Sequence, residues 1–322
     1  MNVLNVIFCG KDVKNTGVCD CYFTPELLEG SILVPRDLVL TQDQLSDANI
    51  STTLTNLTKT TKTNRIFPTS PFVQITDNTE EPVEQTFGYG DSVPIRDGKI
   101  NWIFQFIEGG ITHSNALASF NNLIKKYAVI FRDGPQNTLI GTTKKDVNGQ
   151  NGMAGIPLTK LRTYPWKAPT GSEVTAYRIQ FGFNPVYINQ LIAFRKVDLD
   201  VMVLSELKGL ENVLLSHLAG DEGDTEITIG AVTDCGADMA TDYSEELEQV
   251  TAWIWKDAAG AVKTITGVVF DEETGGWTLT TSDPSGAEDG DTIQMAAPTV
   301  LEAPPINVAG YESDILTLDL GS

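Results

Sequence analysis

Residues 99–133 read KINWIFQFIEGGITHSNALASFNNLIKKYAVIFRD, and the period of their apolar side chains changes twice. Trp102, Phe104 and Phe106 alternate with Ile103, Gln105 and Ile107, which is the two-residue period of a strand. From 111 to 127 the period lengthens. Ala116, Phe120, Leu123 and Tyr127 fall on one helical face there, and Thr112 or Ser114 is placed to cap its start. Tyr127 to Phe131 is a second apolar run, closed by the turn signal Arg132-Asp133-Gly134-Pro135. Strand, helix and strand in so short a span predict a β-rich domain with the helix as a minority element.

Outward from that stretch, 322 residues leave room for two domains, each with its own core. A hydrophobic share of 41% with 8% aromatics belongs to a folded chain rather than a disordered one. The apolar runs fall far short of the ~20 residues of a membrane span, so no membrane is expected among the partners. The opening MNVLNVIFCGKDV lacks the basic, apolar and small-residue regions of a signal peptide, which predicts maturation in the cytoplasm. Cys9, Cys19, Cys21 and Cys235 are too scattered for a disulfide framework, and Cys19-Asp20-Cys21 has neither the spacing nor the second pair of a zinc site.

The net charge of −21 is unevenly held. Of 43 acidic and 22 basic side chains, residues 221–322 hold 22 acidic and 2 basic, so the remainder is nearly neutral. This contrast predicts a main domain at 1–220 and an acidic domain at 221–322, with Gly220-Asp221-Glu222-Gly223-Asp224 as the linker. An acidic domain repels nucleic acid, which argues against a DNA-reading role for the second.

Along the main domain, strands are expected at 1–8, 31–34, 38–40, 72–75, 83–87, 139–142 and 174–183, with another strand or strand pair at 186–197. Val203, Leu207, Leu210, Leu214 and Leu218 make a stripe at helical spacing, predicting a helix over 203–218. Residues 49–64, NISTTLTNLTKTTKTN, hold seven threonines and no glycine or proline. They read as a mobile surface loop or as a long β-hairpin arm, because threonine favours strands and Leu54 and Leu57 offer little to a core. Residues 143–155 read as a polar, glycine-punctuated loop in which Lys144 and Lys145 are solvated or touch phosphate.

Beyond the linker, strands are expected at 227–232, 250–255, 262–270, 277–280, 292–295 and 315–320, separated by glycine or acidic turns. Such a meter predicts a small immunoglobulin-like sandwich with Trp253 or Trp255 as its core tryptophan. The fold class is therefore mainly β: a β-sandwich or barrel-like main domain with one or two helices, plus a small C-terminal Ig-like β-sandwich.

Chemistry is less legible. His113 and His217 are the two histidines, both in predicted helices and neither near a Gly-x-Ser-x-Gly elbow. The acidic groups Asp221, Glu222 and Asp224, Asp271 to Glu273, and Asp289 with Asp291 read as solvated surface or as oxygen ligands for calcium, without the register of an EF-hand. The chain reads as a structural protein rather than an enzyme, with no cofactor.

In the order of its parts the chain resembles the tail tube (major tail) proteins of tailed bacteriophages. The likeness lies in a sandwich carrying the helix 111–127, the arm 49–64, the loop 143–155 and an appended immunoglobulin-like domain. The resemblance implies a virion structural protein, assembled in the host cytoplasm, that forms hexameric rings stacked into a tube for the genome. It implies subunit contacts through the arm and loop, here Thr52, Thr55, Asn56, Thr58, Thr61, Lys144, Lys145 and Asn151. Other virion proteins and transient, non-specific contact with the genome complete the expected partners. Two further readings stand beside it. One is a capsid-associated or head-decoration protein; the other is a carbohydrate-binding surface module in which Trp253, Trp255 or Trp277 stacks on sugar.

Overall fold

Chain contacts divide the protein into two units, residues 1–209 and 210–322. The computed structural model describes residues 25–320 except 87, 89, 91, 97, 172–174 and 190. The strand expected at 1–8 and the thiols of Cys9, Cys19 and Cys21 lie outside the described residues.

In the first unit, β1 (Leu28–Pro35) and β2 (Val39–Leu40) lead to α1 (Ile50–Lys59). After β3 (Phe67–Pro68) and β4 (Phe72–Asp77) come the hairpin strands β5 (Val83–Thr86) and β6 (Ser92–Arg96), then β7 (Ile100–Phe106) and α2 (Gly110–Ala118). β8 (Tyr127–Asp133), β9 (Thr138–Lys145), β10 (Asn151–Ala154), β11 (Ile156–Lys167) and β12 (Ala176–Phe183) follow, and α3 (Pro185–Asn189) and β13 (Ile192–Lys196) end the series.

These strands form two layers that share β11. Its first residues pair with β8, through Ile156 and Val129, and the rest pair with β12. One layer joins β1, β3, β8, β9, β10, β2 and β13; the other runs β11-β12-β7-β4. An aromatic core draws on both, with Phe104 against Phe131 at 5.3 Å and against Phe181 at 5.5 Å between ring centres. Alternate residues of the first layer face a second core. Val129 and Phe131 belong to the aromatic side, whereas Ala128 and Ile130 pack with Ile50 and Leu54 of α1. Two-sided burial explains why 127–131 is an uninterrupted apolar run. The mainly β class is what the structure has.

Several local expectations are corrected. Within 49–64, residues 50–59 are neither loop nor β-arm but the helix α1, and only 60–64 are irregular: Ile50, Leu54, Leu57 and Thr58 recur at helical spacing, and Ile50, Leu54 and Thr58 are buried. Burial of that stripe overrides the strand preference of threonine. The stretch 143–155 is a hairpin, with Lys145 opposite Asn151 and Thr142 opposite Ala154. α2 stops at Ala118, two turns long, and neither Thr112 nor Ser114 caps it; its N-cap is Gly109, at φ 80°. A side chain there would strain the backbone, and a Cβ would press on His113. Arg132 and Asp133 are buried within β8 rather than in a turn. Residues 186–197 hold the short α3 before the single strand β13.

The second unit begins earlier than the charge boundary. The helix expected over 203–218 is replaced by a single 3-10 turn, Leu204–Glu206, and by β14 (Glu211–Ala219). Leu204 and Leu207 are buried in the first unit, while Leu214 and Leu218 are exposed on a strand whose Val213 points into the second core. The helical stripe was thus two shorter patterns laid end to end. Residues 220–224 are the turn between β14 and β15 (Glu226–Thr233), not a linker.

After α4 (Met239–Tyr243) come β16 (Trp253–Lys256), β17 (Val262–Lys263), β18 (Ile265–Asp271), β19 (Gly276–Thr281) and β20 (Thr292–Met295). α5 (Pro298–Leu301), β21 (Tyr311–Ser313) and β22 (Leu316–Thr317) complete the unit. Two sheets, β18-β19-β15-β14-β21 and β17-β16-β20-β22, contribute to one core around Trp253, Trp255 and Trp277. The β14–β21 pairing is parallel; the other pairings in these sheets are antiparallel.

Candidate functional site

β4 and β7 are adjacent antiparallel strands, yet 22 residues separate them in sequence. Within that insertion β5 and β6 form, among the described residues, a two-stranded sheet of their own, Gln85 opposite Val93 and Thr86 opposite Ser92, with a bulge beside Val83. The base is held by backbone bonds from Asn78 N–H to Asn101 O at 2.8 Å and from Glu80 N–H to Lys99 O at 3.0 Å. Gly98 permits this approach, because a Cβ there would collide with the Glu80 carbonyl. The Arg96–Glu80 pair at 3.9 Å is half-exposed on both sides and contributes little.

Beyond its base the hairpin is exposed among the described residues. All four residues of β5 are exposed, and Val83, Val93 and Ile95 expose 39%, 50% and 60% of their surface. A two-stranded hairpin in water is marginal on its own, so one that presents apolar side chains gains stability from a further surface. β4 ends its layer, and its Val73 is 60% exposed. Near the hairpin base an open groove of about 580 Å³ is bordered by Thr79, Glu80, Gly98, Trp102, Val186 and Ile188.

The residues expected to contact other subunits fall into two places. Thr52 and Asn56 are exposed on α1 and Thr55 is half-buried there, with Thr61 exposed just beyond. Thr58 is buried, its Oγ1 donating to Thr55 O at 2.8 Å, and it cannot meet a partner. Lys144, Lys145 and Asn151 come together on the β9–β10 hairpin. There Lys144 lies 3.6 Å from Asp37, and the Asn151 carbonyl accepts from Gln42 Nε2 at 3.4 Å. Of the β5–β6 hairpin, only the strand at 83–87 was expected from sequence, and β6 at Ser92–Arg96 was missed; its signal was the length of chain between two strands that pair directly.

The face of β11 and β12 turned away from the aromatic core has a distinct chemistry. Tyr164 lies between two guanidinium groups, Arg162 at 5.6 Å and Arg178 at 5.3 Å from its ring centre, and its hydroxyl donates to Gln180 Oε1 at 2.6 Å. Lys160 extends this cationic row on β11.

In the second unit Trp253, Trp255 and Trp277 are 3%, 0% and 0% exposed, so none of them is a platform for stacking on sugar. Among the described residues no group of three or more His, Cys, Asp or Glu is placed to hold a metal ion. Asp291 departs from the expected solvated acidic surface: it is fully buried against Lys263, Nζ to Oδ2 2.8 Å, with Glu288 Oε2 at 3.2 Å from the same nitrogen. Burial opposes the Lys263 charge, but the hydrogen bonds and charges of Asp291 and Glu288 outweigh it and hold its pKa above the ordinary lysine value. The available sequence signal was that Lys256 and Lys263 are the two basic residues of 221–322.

No known protein family and no characterised protein matches the chain in sequence. Among the described residues no helix is long and apolar enough to cross a membrane.

Proposed function

We propose that this protein is a virion structural subunit, a tail tube protein whose copies form rings stacked into a conduit for the genome. The observation that carries the reading is the β5–β6 hairpin, a separate two-stranded sheet on which Val83, Val93 and Ile95 are exposed apolar side chains. An uncovered hairpin and an edge strand are complementary by backbone chemistry: each offers N–H and C=O groups that pair when a strand is added. In this reading the hairpin of one copy reaches a neighbour, and the role first given to residues 49–64 passes to residues 83–96. Burying Val83, Val93 and Ile95 in such a contact contributes on the order of 1 kcal/mol each.

The β9–β10 hairpin, with Lys144, Lys145 and Asn151, is a second contact element in the ring or between rings. The second unit, with net charge −20 over 221–322, is an immunoglobulin-like decoration on the outside of the particle, where its charge keeps virions dispersed. Transient genome contact belongs to the same reading, and the Lys160–Arg162–Arg178 face has the chemistry for it. Assembly takes place in the host cytoplasm and requires no cofactor.

The test replaces residues 82–97 with an Asn-Gly turn, joining β4 to β7 directly. The variant is expected to keep the parent's melting temperature and to sediment as a monomer at concentrations where the parent assembles. Assembly equal to the parent's would remove the hairpin from the account. Closed oligomers of fixed size from the parent, in place of open-ended assemblies, would favour the head-decoration reading.

A further inference from the structure

We propose that the second unit forms an internal amide bond between Lys263 Nζ and Asp291 Cγ, a covalent staple across its smaller sheet. The inference does not depend on the tail-tube reading.

Lys263 and Asp291 side chains are 3% and 0% exposed, and Nζ donates to Asp291 Oδ2 at 2.8 Å, to Gly286 O at 2.7 Å and to Glu288 Oε2 at 3.2 Å. Oδ2 accepts twice more, from Trp255 Nε1–H at 2.9 Å and from the Glu288 backbone N–H at 3.1 Å. Asp291 Oδ1 is buried and has no partner. As an ion pair the cluster therefore leaves one carboxylate oxygen unsatisfied in the core, an uncommon and unfavourable state.

Condensation removes that atom. The carbonyl oxygen of the product keeps the donors Trp255 Nε1–H and Glu288 N–H, the single amide N–H keeps Gly286 O, and Oδ1 departs as water. Every buried polar atom of the product then has a partner.

The geometry also supplies the steps. Proton transfer along the 2.8 Å hydrogen bond converts ammonium and carboxylate into a neutral amine and a neutral acid, the form that burial favours. The pull of the two carboxylates makes this the minor form, which suffices for an event that happens once per molecule. The amine lone pair attacks Cγ, and the charge developing on Oδ2 meets the two donors already aimed at it. The C–N bond forms and the C–Oδ1 bond breaks. Of the three ammonium protons one stays on nitrogen and two leave with Oδ1 as water, carried by the Glu288 carboxylate beside Nζ. Ammonium plus carboxylate gives amide plus water, with no oxidant or co-reactant.

The fold holds these groups still. Lys263 on β17 is opposite Trp255 on β16, and Trp255 is opposite Ile293 on β20, two residues past Asp291. The Trp255 ring centre lies 5.9 Å from Nζ and walls the site from water. Asp291 is fixed by its N–H to Glu288 O at 3.1 Å and by Leu318 N–H to its own carbonyl at 2.7 Å. Gly286, at φ 67°, turns its carbonyl to Nζ in a loop tied to residues 223 and 224 by bonds of 2.7 and 2.8 Å.

Intact-mass spectrometry of the denatured full chain, followed by peptide mapping, tests the proposal. The expected mass is below the sequence mass by that of one water, ~18 Da, with a branched peptide joining residues 263 and 291. K263R and D291A are expected at full mass. E288Q, which keeps the size of the side chain but not its basicity, is expected to be folded and substantially uncrosslinked when first purified. Full mass for the wild-type chain would overturn the proposal, and so would a water loss mapped to any other pair.

Discussion

His113 stands on α2 with Nε2 accepting the Ser70 backbone N–H at 3.2 Å and its ring edge-on to Phe106 at 5.4 Å. Burial lowers its pKa below the ordinary histidine value, and the nearby Glu108 charge offsets only part of that. Above the unfolded-state value of about 6.5 the ring is neutral in both states, and the shift contributes nothing. As pH falls through 6.5 the unfolded chain takes up the proton first, so stability is lost until the folded pKa is reached. Denaturant melts from pH 8 to 5 should therefore show a decline that H113Q reduces; an identical decline in H113Q would assign it elsewhere. None of this was legible in a lone histidine within an apparent helix, since the acceptor role depends on Ser70, 43 residues away. Arg132 was hidden for a similar reason. It is buried, donating to Leu204 O at 2.6 Å and Thr69 O at 2.9 Å, and its long-range partners cannot be read from an Arg-Asp-Gly-Pro turn signal.

At the scale of elements, α1 is where local preference and packing disagree. Seven threonines in 49–64 favour an extended chain, whereas Ile50, Leu54 and Leu57 at helical spacing favour a helix on the sheet. Packing prevails, and Leu54 is 2% exposed. Leu54→Ala is expected to cost about 2–5 kcal/mol, the range for a core leucine truncated to alanine. A chemical-denaturation change under ~0.5 kcal/mol would mean that the helix is an appendage after all. By contrast β7, β8 and β12 could be read directly, because alternation or a continuous apolar run matched one-sided or two-sided burial. Of the β5–β6 hairpin only β5 was read as a strand, and nothing local marked the pair as an arm. Only the pairing of β4 with β7 reveals that it projects from their junction.

For the whole molecule, charge and fold divide the chain at different places. The acidic composition begins near residue 221, but β14, at Glu211–Ala219, pairs with β15 along the second unit's larger sheet and places Val213 in its core. A fragment of residues 210–322 is expected to melt cooperatively. Residues 221–322, which lack β14 and leave an edge of β15 open, are expected to be unfolded or aggregated. Cooperative melting of the shorter fragment, with the same midpoint, would move the boundary back to the charge transition. Composition reports what solvent meets, whereas the boundary follows strand pairing, so the two need not coincide.

Negative-stain electron microscopy of the intact protein over a concentration series tests the central claim most directly. The account predicts rings with an axial channel at low concentration and stacked rings or tubes as concentration rises. Isolated monomers at every concentration, or closed particles without a channel, would contradict it.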